Sequence, residues 1–81
     1  MAGLYSSEAA KLALFLADAR KVAGLHQSDL AKKIGTRQSA VSDIETGQRG
    51  VDLLEFREIA TALGRDPVEL FAALDARLKS S

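Results

Sequence analysis

The chain has 81 residues, with eleven basic and eleven acidic side chains, one histidine and no cysteine. That length suits one domain over 1–81 with a modest core, and the missing thiols exclude a disulfide scaffold and a thiolate metal site. No apolar run reaches membrane-spanning length and no signal-peptide pattern is present, so a soluble, cytoplasmic chain without membrane contact is expected.

The apolar spacing predicts five helices and no strand. The first runs from about Ser7 to Ala23, with Leu12, Leu16, Ala19 and Ala23 inward. The second runs from about Gln27 to Ile34, with Leu30, Ala31 and Ile34 inward. The third covers about Arg37 to Glu45, with Thr36 as its expected N-cap and Val41 and Ile44 inward. The fourth, about Asp52 to Leu63, opens on a capping-box pair, Asp52 and Glu55. Its expected apolar face is Leu53, Phe56, Ile59, Ala60 and Leu63. The fifth starts at Asp66-Pro67, where aspartate caps and proline suits the first turn, and its expected stripe is Val68, Phe71, Leu74 and Leu78. Gly24, Gly35, Gly47 and Gly64 each follow an amphipathic stretch, as helix-closing glycines do. Met1–Tyr5 and Lys79–Ser81 are expected to fray.

The central segment, Gln27 to Glu45, pairs two short helices through a glycine turn. Ala31 sits where they would cross closely, and Leu30, Ile34, Val41 and Ile44 would bury the inner side. This is the pattern of a helix-turn-helix, whose second helix enters a DNA major groove. The charge is uneven in a way that fits. Arg20, Lys21, Lys32, Lys33, Arg37 and Arg49 face only Asp29, Asp43 and Glu45 within residues 20–49, a net +3 in a neutral chain.

The chain resembles the lambda-repressor and Cro type of helix-turn-helix, the XRE family. The resemblance rests on Arg20, Gly24-Leu25-His26-Gln27, Leu30-Ala31, Ile34-Gly35, Gln38-Ser39-Ala40-Val41-Ser42, Ile44-Glu45 and Gly47. It continues through Ile59-Ala60, Ala62-Leu63-Gly64 and Asp66-Pro67. It implies an all-α, compact five-helix lambda-repressor-like domain that binds double-stranded DNA as a transcriptional regulator.

Site roles follow from the resemblance. Gln38, Ser39, Ser42 and Asp43 would read bases; glutamine suits adenine, and Asp43 could accept from cytosine N4 although it would repel phosphate. Gln27, Arg37, Gln48 and Arg49 would hold phosphates, Gln27 together with the N–H groups of its helix start. Arg37 could also reach a guanine or form a surface salt bridge, and Lys32 and Lys33 could be an ordinary solvated face. Arg20 and Glu45 would form an architectural ion pair between the first and third helices. His26 stands where the family favours a better N-cap, and a protonated imidazole could touch a phosphate there.

Leu14, Phe15 and Leu54 fall where a monomer would prefer polar residues. A homodimer is therefore expected, with Leu54, Phe71, Leu74 and Leu78 as its surface and a palindromic operator as its target. Repression is the expected role. An antitoxin that holds a toxin, or a restriction-modification controller, would use the same fold, and an activator would also contact RNA polymerase. An enzyme is not expected: His26 is the only histidine, the carboxylates are scattered along helix surfaces, and no metal-ligand spacing or cofactor motif is present.

Overall fold

A computed structural model describes residues 7–80. Five helices account for most of them: α1 (Ser7–Val22), α2 (Gln27–Ile34), α3 (Gln38–Glu45), α4 (Leu53–Ala62) and α5 (Pro67–Lys79). No strand occurs among the described residues. The fraying expected at Met1–Tyr5 lies outside them, and Lys79 belongs to α5.

The helices are short, so their ends matter. Gly35 takes a left-handed conformation (φ 71°) and closes α2. The N–H of Thr36 then reaches back to the Ala31 carbonyl at 2.9 Å. This six-to-one bond caps the open carbonyls of the last turn. It recurs at Leu25 onto Arg20 (3.2 Å), Gln48 onto Asp43 (2.8 Å) and Arg65 onto Ala60 (2.9 Å). Thr36 is thus part of the exit from α2. Arg37, in extended conformation and without a side-chain cap bond, is the N-cap of α3 in place of the expected Thr36. At the starts of α4 and α5 the caps are aspartates: Asp52 accepts from Glu55 N at 2.8 Å, and Asp66 from Val68 N at 2.9 Å. His26 is the N-cap of α2, where the Asp29 carboxylate accepts from its backbone N–H at 2.8 Å.

The core is centred on Ile59, Leu70, Val41 and Ala60, all almost fully enclosed. Leu16, Leu30, Ala31, Ile44, Phe56, Leu63 and Leu74 surround them. α2 packs on α3 and α4, and α1 packs on α3 and α5. Ala31 is buried at 3% exposure, consistent with close approach of the paired helices. α5 is fastened to α1 from outside as well. The Arg77 guanidinium lies 5.1 Å from the centre of the Phe15 ring and donates to Asp18 at 3.2 Å.

Several expected faces differ. Leu53 is 80% exposed, because it opens the first turn of α4 and overshoots the core edge. Val68 and Phe71 are also exposed, so the inward stripe of α5 is Leu70, Ala73, Leu74 and Leu78. Of the residues expected at a dimer surface, Leu54 and Phe71 are exposed, Leu78 is half-buried against the core, and Leu74 is buried within the subunit. Phe15 is buried too, whereas its neighbour Leu14 is exposed. Ala23 is exposed beyond the end of α1.

These assignments are separable by stability. Leu70→Ala should lower the unfolding free energy by about 2–5 kcal/mol, as large-to-small changes in a packed core do. Val22→Ala, in the exposed last turn of α1, should change it by less than about 0.5 kcal/mol. Urea titration followed by circular dichroism reads both.

Candidate nucleic-acid interface

One surface gathers most of the expected DNA contacts. On α3, Val41 and Ile44 point into the core, and helical periodicity puts Gln38, Ser39, Ser42 and Asp43 on the opposite side. Gln38, Ser39 and Asp43 are exposed and Ser42 is half-buried. Arg37 is exposed at the head of this helix, and Gln48 is exposed in the loop that follows it. The loop is tied to the helix: Gln48 N and Arg49 N both donate to the Asp43 carbonyl, at 2.8 and 3.3 Å. Lys32 and Lys33 are exposed on α2 without a resolved role in this surface.

A chain of polar bonds sets the position of α3. Arg20 Nε donates to Glu45 Oε2 at 2.7 Å and Arg20 Nη2 to Glu45 Oε1 at 2.9 Å. Arg20 Nη1 donates to the Leu25 carbonyl at 2.8 Å, which adds the α1–α2 turn. The two side chains are only 10% and 5% exposed. Glu45 Oε1 also accepts from Gln27 Nε2 at 2.9 Å, and Gln27 Oε1 accepts from Gln38 Nε2 at 3.2 Å. The side chain of Gln27, an expected phosphate ligand, thus bonds to both ends of α3. One of its amide hydrogens remains to be donated outward.

Burial pushes the Glu45 carboxyl up, but the hydrogen bonds from Arg20 and Gln27, with the charges of Arg20 and Lys21, outweigh it. The net effect holds Glu45 below the usual carboxylate range. Its partner Arg20 is raised, first by the hydrogen bond to Glu45.

Arg49 has a partner that spacing did not reveal. Its Nη1 donates to Glu55 Oε1 at 3.3 Å and to the Gly50 carbonyl at 3.0 Å, and its Nη2 donates to Glu55 Oε2. The hydrogen bond from Arg49 is the first of the influences that lower the Glu55 carboxyl. Glu55 was legible as a capping residue, and Oε1 does accept from Asp52 N at 3.3 Å. A pairing across a six-residue loop has no periodic signature.

The chain matches the helix-turn-helix family over residues 16–70. It is an XRE-family helix-turn-helix protein. It is 36% identical over 56 residues to an uncharacterized HTH-type transcriptional regulator of Methanothermobacter thermautotrophicus, covering 69% of this chain and 81% of that one. Among solved structures it is similar to an XRE-family-like protein from Pseudomonas syringae pv. tomato, with a TM-score of 0.74 and 38% identity, covering 85% and 87% of the two chains. A restriction-modification controller protein from Aeromonas hydrophila is similar too: TM-score 0.74, 37% identity, 80% of this chain and 98% of that one. An XRE fold is a DNA-binding regulator fold, and α2 and α3 form its helix-turn-helix in this chain. Among the described residues no helix is long and apolar enough to cross a membrane. No cluster of histidine, aspartate or glutamate suited to a metal ion occurs among them either.

Removing Glu45 would leave a buried guanidinium without its carboxylate. Glu45→Ala is expected to cost about 3 kcal/mol in unfolding free energy near neutral pH. The lowered carboxyl makes this contribution complete above the ordinary carboxylate range of about pH 4. It is lost as pH falls through the still lower folded value, so stability curves of the variant and the parent should converge on acidification.

Proposed function

We propose that the protein is a sequence-specific transcriptional regulator, acting as a repressor, that binds a palindromic operator as a homodimer. The observation that carries the reading is the Gln27–Gln38 pair set on the Arg20–Glu45 bridge. Bidentate recognition of adenine needs one amide oxygen and one amide hydrogen. Gln38 gives one Nε2 hydrogen to Gln27 and keeps the other, together with Oε1, for a base. The side chain is therefore oriented before DNA arrives and is still able to read. Ser39, Ser42 and Asp43 extend the reading face, and Arg37, Gln48 and Arg49 flank it for phosphates.

A dimer answers a limit of size. One short helix makes few base contacts, each good bidentate pair giving about 1–3 kcal/mol of discrimination. Two copies double these contacts and require half-sites about 34 Å apart. The surface that favours self-association is an apolar groove between α4 and α5, bordered by Leu53, Leu54, Phe56, Pro67, Val68 and Phe71. Leu53, Leu54 and Val68 are 80%, 73% and 78% exposed, and Phe71 leans edge-on against Phe56 with ring centres 6.3 Å apart. The dimer surface is thus assigned to Leu53, Leu54, Val68 and Phe71. The likeness to the Aeromonas hydrophila protein favours a restriction-modification controller as the second reading, within the same DNA-binding activity. Cytoplasmic residence goes with either role.

Selection of bound duplexes from a random pool tests the site. Gln38→Ala should relax base preference at one position per half-site, while Arg49→Ala should weaken all sequences alike and reduce the salt slope by about one per subunit. A selection that returns no consensus sequence overturns the reading. For the dimer, Leu54→Glu with Phe71→Glu should shift sedimentation from dimer to monomer at micromolar concentration; a parent chain that sediments only as monomer overturns that part.

A further inference from the structure

We propose that Glu55 latches Arg49 in the free protein and competes with DNA phosphate for it, so that Glu55 lowers affinity for DNA of any sequence. This rests on the assignment of Arg49 to a phosphate. The end-on edge of the guanidinium, Nη1 with Nη2, is closed on the Glu55 carboxylate, and Nη1 also donates to the Gly50 carbonyl. Nε, on the other bidentate edge, has no hydrogen-bond partner among the described residues. A phosphate placed on it would lie beside the Glu55 carboxylate, and like charges at such range repel. Asp43 and Asp52 add their fields to the same guanidinium. Glu55 is thus paired with this cation and Asp43 and Asp52 bias its field, so a phosphate on the Nε edge is held less firmly than one that takes the end-on edge from Glu55.

The latch is placed to open. Its side chains are 40% and 30% exposed, in contrast to the enclosed Arg20–Glu45 pair. An exposed pair is held weakly and is screened by salt. Glu55 is also anchored independently of Arg49, because Asp52 N donates to it and its own N–H donates to Asp52 Oδ1 at 2.8 Å. When Arg49 swings to a phosphate, the start of α4 keeps its cap.

Glu55→Gln tests this, since glutamine preserves the capping geometry and removes the charge. A thermal melt close to that of the parent establishes that α4 is intact. In low salt, Glu55→Gln should bind a random-sequence duplex about two- to five-fold more tightly than the parent, the range expected from releasing an exposed ion pair. Cognate duplex should tighten by a similar factor. The advantage should shrink as salt rises and disappear when Arg49→Ala is added, because no latched cation is then left to release. A gain that persists with Arg49→Ala would overturn the latch in favour of a general loss of negative charge. Unchanged or weaker binding by Glu55→Gln, with Arg49→Ala weakening all duplexes, would also overturn it and leave the phosphate contact standing. If Arg49→Ala alters no binding at all, the latch and the phosphate assignment fall together.

Discussion

The Arg20–Glu45 bridge is the constraint on which the position of α3 depends. Arg20 comes from α1, Glu45 from the last turn of α3, and the same guanidinium holds the Leu25 carbonyl at the entrance to α2. Three segments of chain meet on one planar cation. The fork geometry of arginine suits this, because its donors are fixed in one plane and can satisfy a carboxylate and a carbonyl together. A lysine would supply the charge without the plane. Gln27 and Gln38 then continue the chain of bonds to the exposed face, so the orientation of the Gln38 amide depends on an interaction inside the protein.

The two arginine–glutamate pairs of the interface are built for different purposes. Arg20–Glu45 is shielded, and its value is geometric: it stabilises the domain little in total but is costly to break from one side. Arg49–Glu55 is half open to solvent, and its members also bond to backbone groups, Arg49 to the Gly50 carbonyl and Glu55 to Asp52 N. One fixes the angle of α3. The other leaves the charge at the end of the loop negotiable. The same two residue types therefore give rigidity or exchange according to burial alone.

The sequence pattern carried the helix-turn-helix and the starts of α4 and α5 well, because these have local causes. A glycine must follow α2 for its left-handed turn, and Asp66-Pro67 has few roles other than opening a helix. The architectural pair of Arg20 and Glu45 came from the resemblance, since nothing in a separation of 25 residues points to it. The expected face of α4 holds except at Leu53, whereas that of α5 differs at Val68 and Phe71, because α5 is apolar on more than one side. In α5, Leu70, Ala73, Leu74 and Leu78 form one stripe and Val68 and Phe71 belong to another. Spacing alone permits a stripe that takes two residues from each. Only the direction from which α1 and α4 approach decides between them.

The packing of α5 on α1 joins the two ends of the described chain. Leu70 and Leu74 enter the core from one side, and Arg77 reaches Phe15 and Asp18 on the other. The other helix pairs are formed between nearer neighbours in sequence, and such contacts close quickly and at small entropic cost. This one spans the domain. On a ribosome, the helix-turn-helix would emerge while its core still lacked a wall, and the arrival of α5 would convert a loose set of helices into a single cooperative unit. Folding is thereby tied to the completion of α5, the helix whose opposite face carries Val68 and Phe71.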